Sequence, residues 1–157
     1  MNIDTDWLEK TVFDRKLSDE ELTAVSSIMQ AGRASQGEEI VSQGEPGGIL
    51  YVLRSGTAVV QHEAPKPIEV ATVGEGAVVG EMSFLTDASA SASVVAKTDC
   101  VVYLITRSGF SELMTRHEEL AFGLFVYILR HTAGVIRHMN EEHISMMQYI
   151  VGSRMGG

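Results

Sequence analysis

Between residues 33 and 106 the chain rarely runs more than a few residues without a turn signal, and this spacing constrains its fold more than any other feature. β-Branched and apolar runs recur at 39–42, 49–54, 57–62, 68–73, 77–79, 93–96 and 100–105. Gly37, Gly44, Gly47, Gly48, Gly56, Gly74, Gly76 and Gly80 punctuate them. Short strands with turn residues roughly every 8–12 positions read as an antiparallel sandwich or barrel. A parallel sheet needs a crossover of about a dozen residues or more between neighbouring strands, and the gaps here leave no room for one.

Helical patterns flank this stretch. In Leu17-Ser18-Asp19-Glu20-Glu21-Leu22, Ser18 stands at an N-cap with Glu21 three residues on, a capping box, and Leu17 and Leu22 fall at the staple positions. The spacing of Leu22, Val25, Ile28 and Met29 predicts a helix over 17–32 that stops near Gly32. Residues 4–14 predict a further short helix with Trp7, Leu8 and Val12 facing inward. Thr106 caps a helix through Met114.

A long pattern then runs over 118–150, which at about 1.5 Å per residue is on the order of 50 Å. Its start, 120–129, is apolar all round and is expected to pack on several sides. Farther on it thins to a seam of Leu129, Thr132, Ile136, Met139, His143, Met146 and Ile150, three and four residues apart. That is the spacing of a two-helix coiled coil. So long a helix outruns its own domain, so a homodimer through Leu129, Ile136, Met139, Met146 and Ile150 is expected. His131 and His138, seven apart, are expected at or near that seam. The layout is a single domain over 1–151, with a helix at 17–32, a β region at 33–106, helices at 107–150 and a flexible tail at 152–157.

Charge and composition narrow the function. Twelve Lys+Arg stand against 21 Asp+Glu, a net charge of −9, which disfavours a broad phosphate-neutralising face and hence direct DNA binding. The lone Cys100 excludes an internal disulfide framework, fits a reducing compartment and sits in an apolar strand context. The first ten residues are acidic and lack an apolar signal core, and the longest apolar run is about half of what a bilayer needs. A cytoplasmic protein with no membrane partner is expected. His62 is the only histidine in the β region, no H-x-H with a following Glu occurs, and no Ser or Cys has an activating partner pattern. Neither a metal site nor an enzyme is expected.

One segment carries chemistry: Val78-Val79-Gly80-Glu81-Met82-Ser83-Phe84-Leu85, followed by Ser91-Ala92-Ser93-Val94-Val95-Ala96. Gly80 lets a ligand approach the main chain, and a turn after it points successive N–H groups outward, as anion sites do. Glu81 can accept from a sugar hydroxyl.

The order LSDEEL, GEEIVSQGEPGGILYVLRSGTAVV, GEGAVVGEMSFL, SASVVAKTDCVVYLITRSGF resembles the cyclic nucleotide-binding domain family over about residues 17–145. That family includes the sensor halves of catabolite activator proteins and the regulatory subunits of protein kinase A. The resemblance implies an α+β fold, an eight-stranded jelly roll (double-stranded β-helix) flanked by N-terminal helices and a long C-terminal helix that closes over a ligand or pairs with a partner. By position it implies that Gly80 and Met82 offer backbone groups to a cyclic phosphate and ribose, with Ser83 in the same turn. Glu81 takes the ribose 2′-hydroxyl, Val70 and Ala71 line the base side, Ser91 and Ala92 lie beside the phosphate, and Asn140 reaches the purine. The implied ligand is cAMP or cGMP.

Two departures stand out. Pro46-Gly47-Gly48 keeps a turn but loses the Asp often found there. More seriously, Ala90 stands where the family places a phosphate-binding Arg, and no Arg occurs between Arg54 and Arg107. Such an Arg contributes about 1.5–3 kcal/mol, so its loss is expected to weaken binding roughly 10- to 200-fold. The resemblance therefore leaves two functions open. One is a regulatory sensor of a small anionic ligand that shifts the long helix. The other is a degenerate fold kept for dimerisation or for docking an unknown protein partner.

Overall fold

The computed structural model describes residues 2–63 and 65–155, with the side chains of 135, 136, 138, 139 and 152–155 outside the description. A short helix α1 (Thr5–Trp7) runs into a π-helical turn (Leu8–Phe13), followed by α2 (Asp19–Ile28), β1 (Met29–Ala34), β2 (Glu39–Val41), β3 (Ile49–Ser55) and β4 (Ala58–His62). Next come β5 (Ile68–Val73), β6 (Val78–Val79), α3 (Glu81–Thr86), β7 (Ser93–Ala96), β8 (Cys100–Thr106), α4 (Arg107–Arg116) and α5 (Glu118–Met155). The strands form two four-stranded sheets, β1-β8-β3-β6 and β2-β7-β4-β5. Every pairing is antiparallel, so the fold is an α+β jelly roll with helices at both chain ends.

The first sheet is buried on both faces. Alternation along β8 sends Tyr103 and Ile105 toward the helices, where Leu8, Val25, Leu113, Leu120, Leu124 and Ile128 meet them. Cys100 and Val102 point the other way, into a second core with Val41, Leu53, Ala58, Val94 and Ala96 between the sheets. Trp7 lies edge-on to Tyr103 at 5.8 Å, and both Leu8 and Val12 are buried as expected.

Both helix caps form. Glu21 N–H donates to Ser18 Oγ while Ser18 N–H donates to the Glu21 carboxylate, closing the capping box. Gly109 N–H donates to Thr106 Oγ at 3.1 Å, and α4 continues two residues past Met114.

The structure departs from expectation in three places, the first being that α5 continues through Met155, past the helix end expected at 150 and into the stretch expected as a flexible tail. Residues 29–32 do not finish the helix. They open β1, which pairs antiparallel with β8 from Met29↔Ile105 to Ala34↔Cys100. Ile28 and Met29 suit either periodicity, and the open edge of β8 supplies hydrogen-bond partners that a longer α2 could not. The start of α5 is also not packed all round. Leu120, Ala121, Leu124, Tyr127 and Ile128 are buried, whereas Phe122 and Phe125 are 68% and 36% exposed and Leu129 is 45% exposed. Those three sit at the seam's own spacing and extend its outer stripe toward the start of the helix. Among the described residues no helix is long and apolar enough to cross a membrane.

Candidate functional site

The site begins where β6 ends. Gly80 sits at φ 80°, and a Cβ there would stand 2.8 Å from the Ile49 carbonyl oxygen, so a side chain is excluded by both backbone angle and space. This left-handed residue turns the chain from β6 into α3. Phe84 N–H and Ser83 Oγ both donate to the Gly80 carbonyl, at 3.0 and 3.1 Å. Phe84 is buried edge-on against Phe110 at 5.8 Å, which fixes the short helix on α4.

The far end of α3 is held by Arg107. Its Nη2 donates to the carbonyls of Phe84 and Ser83 at 2.6 and 3.2 Å, Nε donates to Phe84 O at 3.2 Å, and Nη1 pairs with the Asp87 carboxylate. A guanidinium here satisfies carbonyls that a helix end leaves without partners.

The loop after α3 is pinned to the turn after β2. Ala90 N–H donates to Glu45 O at 2.9 Å, and Gly44 N–H donates to Ala90 O at 2.8 Å. Ala90 also packs on the core between the sheets. Its amide is therefore engaged within the protein.

These pieces wall one cavity of about 520 Å³, within the range of small-molecule sites. Val70 and Ala71 of β5, Gly80 to Ser83, and Ala90 to Ala92 all line it, together with the apolar side chains of Val41, Val60 and Val94. His62 joins from β4, and α5 closes one side with Arg130, His131, Gly134 and Glu142.

Two titratable groups in the wall are perturbed. Burial pushes the Glu81 carboxyl above its ordinary range, opposed by a hydrogen bond from its own amide. Burial pushes His131 below its usual value, and its ring lies 4.5 Å from that of Tyr127. Tyr127 in turn donates its hydroxyl to the Gly76 carbonyl, so this part of α5 is tied to the turn between β5 and β6. Burial raises the Tyr127 phenol to about 12.

Of the residues named from the sequence, only Asn140 lies outside the cavity lining; it is exposed on α5. It follows His131 by nine residues, which at about 100° each is half a turn of the wheel away. His131 faces the barrel rather than the outer stripe, and the His138 side chain lies outside the described residues. Lys97, the basic residue nearest the cavity loop in sequence, pairs with Glu69 at 3.2 Å. Arg130, His131, Gly134 and Glu142 of α5 are wall residues that sequence reasoning does not assign to the site; it places His131 near the seam instead. The signal for the first three is present: they fall on the face of the helix opposite the seam.

The chain belongs to the cyclic nucleotide-binding domain family, whose model matches residues 32–117. Domains of this family are regulatory modules of kinases and transcription factors. The chain is 28% identical over 147 residues to the cGMP-dependent protein kinase egl-4 of Caenorhabditis elegans, a match covering 90% of this chain and 18% of the kinase. It thus spans about a fifth of such relatives. The fold is that of a cyclic nucleotide-binding domain from Methylobacillus flagellatus, with a TM-score of 0.80, 24% identity, and 90% and 83% of the two chains covered. The regulatory subunit of a cAMP-independent protein kinase A from Trypanosoma brucei also matches, with a TM-score of 0.64, 25% identity, and 87% and 49% covered.

Proposed function

We propose that this chain is a non-enzymatic regulatory module that takes a small anionic ligand of the cyclic nucleotide type and signals by shifting α5. One observation carries this reading: the Gly80–Glu81 turn, β5 and the inner face of α5 wall the same cavity. A ligand there touches barrel and helix at once. It therefore binds the closed arrangement more tightly than one with α5 displaced, and a difference in affinity is the only way a ligand shifts such an equilibrium. The desolvated Glu81 carboxyl suits a hydroxyl donor from the ligand.

The module works as a homodimer through the outer stripe of α5, in which the expected Leu129, Met146 and Ile150 are joined by Phe122 and Phe125 in the same three-and-four register, the side chains of Ile136 and Met139 lying outside the described residues. We place it in the cytoplasm, consistent with a buried free thiol at Cys100.

A second reading is favoured by Ala90, whose methyl packs into the core where a guanidinium is expected to reach the cavity. In that reading the domain binds no nucleotide and serves dimerisation or protein docking.

A thermal shift assay with cAMP, cGMP and cyclic dinucleotides at millimolar concentration separates the two. A ligand at a hundred times its dissociation constant adds about 2.7 kcal/mol. The sensor reading expects a clear rise in melting temperature with at least one of them. No rise with any of them favours the docking module.

A further inference from the structure

We propose that Arg130, carried on α5, is the cation that meets the ligand's anionic group in this chain. The inference rests on the ligand-sensing reading above. An anion drawn into a cavity walled partly by Val41, Val60 and Val94 needs an opposite charge, because burying a charge without one is costly. The barrel side does not supply it. Ala90 has no charge, Lys97 is paired with Glu69, Arg107 is committed to the far end of α3, and Arg54 pairs with Asp4 at 2.8 Å.

Among the described residues in the wall, Arg130 is the one Lys or Arg side chain. It forms no ion pair among the described residues, and it is exposed, so its guanidinium is free to turn inward. One helical turn on, at Gly134, a Cβ would meet nothing within 4 Å. The helix therefore leaves open space over the cavity beside Arg130.

The location of this charge has a consequence. A cation on the barrel would hold the anion whether or not α5 was in place. A cation on α5 makes the contact only when the helix lies over the cavity, so the ligand's charge itself draws the helix in.

Isothermal titration of the full chain with cAMP and with cGMP, at low and high salt, tests the assignment. The variants are Arg130→Gln, Arg130→Lys and the double variant Arg130→Gln/Ala90→Arg, each checked by circular dichroism for retained fold. The expected result is a loss of at least about 10-fold in affinity in Arg130→Gln, with a flatter salt dependence, partial recovery in Arg130→Lys and recovery in the double variant. Binding by the wild type with an unchanged affinity in Arg130→Gln overturns the assignment and leaves the sensor reading standing. So does a loss of affinity with the salt dependence unaltered, since a purely structural effect does that. No binding of cAMP or cGMP to the wild type, with no thermal shift from cyclic dinucleotides either, overturns the sensor reading, and the assignment with it.

Discussion

Arg107 Nη2 donates to the carbonyl of Phe84 at 2.6 Å, joining the first residue of α4 to the last turn of α3. The same guanidinium reaches Ser83 O and the Asp87 carboxylate, so one side chain fixes the end of the helix that starts at Gly80. Hydrogen bonds from a charged donor contribute about 1.5–3 kcal/mol. Arg107→Ala is expected to lower stability by about 2 kcal/mol, seen as a lower urea midpoint with an unchanged slope. Arg107→Lys keeps the charge but not the planar fork and is expected to fall in between. Full stability in the alanine variant would show that α3 is held by Phe84 packing alone.

Gly80 and Gly44 share a left-handed backbone, at φ 80° and 86°, but differ in surroundings. A Cβ at Gly44 meets nothing within 4 Å, whereas one at Gly80 stands 2.8 Å from Ile49 O. Gly44→Ala pays only for the backbone angle, about 1–2 kcal/mol. Gly80→Ala pays for that and for displacing β3 or α3, so its loss is expected to exceed that of Gly44→Ala by at least about 1 kcal/mol. Denaturant titration of the two variants side by side measures the difference, and equal losses would mean that the β6–α3 turn yields easily.

Much of the fold is legible along the chain because its signals are local. The Ser18–Glu21 capping box is four residues of sequence and two hydrogen bonds of structure. The runs that become β2, β3, β4 and β6 are marked by turn glycines, while Pro65 and Pro67 precede β5 and Lys97-Thr98-Asp99 separates β7 from β8. β1 is hidden because Met29 continues the helical spacing of Leu22 and Val25, and only the distant edge of β8 makes a strand the better choice. For the cavity, the Gly80–Ser83 and Ala90–Ala92 segments come together because one short helix and a pinned loop separate them. The α5 contribution is harder to read. The outer stripe shows which face of the helix is turned away from the barrel, but how far along α5 the cavity extends depends on where Tyr127 ties it to Gly76. That contact lies between residues 51 positions apart.

Gly134 offers a way to separate stability from binding. A glycine inside a helix costs about 1 kcal/mol relative to alanine, and a methyl group here has space around it. Gly134→Ala is expected to raise stability by up to about 1 kcal/mol. Gly134→Phe places a ring in the cavity mouth and is expected to abolish ligand-induced thermal shifts while the protein stays folded. A Gly134→Phe protein that still responds to ligand would locate binding elsewhere.

Acid should weaken the start of α2 in a predictable window. Glu21 is held at about 2, first by the Arg15 guanidinium and then by the Ser18 amide. Its folded-state value lies below the ordinary 4.5, so its contribution is present above about pH 4.5 and is lost as pH falls toward 2. Asp4 and Glu9 are lowered as well, so the wild type alone does not isolate the effect. The comparison is wild type against Glu21→Gln. Their melting temperatures should differ most near neutral pH and converge on acidification. A constant gap from pH 7 to pH 2 would mean that the carboxylate's charge adds nothing to the capping box.

The outer stripe of α5 makes the strongest demand on solution behaviour. Phe122, Leu129 and Met146 are 68%, 45% and 63% exposed, and side chains of this size along one face of a helix stay out of water when a second copy covers them. In a two-fold seam each substitution is applied twice, so Leu129→Glu or Met146→Glu places like charges near one another as well as removing apolar area. Either variant is expected to raise the dimer dissociation constant at least about 100-fold, roughly 2.7 kcal/mol, measured by sedimentation equilibrium. The monomer keeps its circular dichroism spectrum, because neither residue belongs to the buried cores. Met114→Glu is the control: Met114 is 56% exposed on α4, off the stripe, and its substitution should leave association unchanged. Wild-type protein that sediments as a monomer at 100 µM would remove the dimer from the account, and the stripe would then require a different partner.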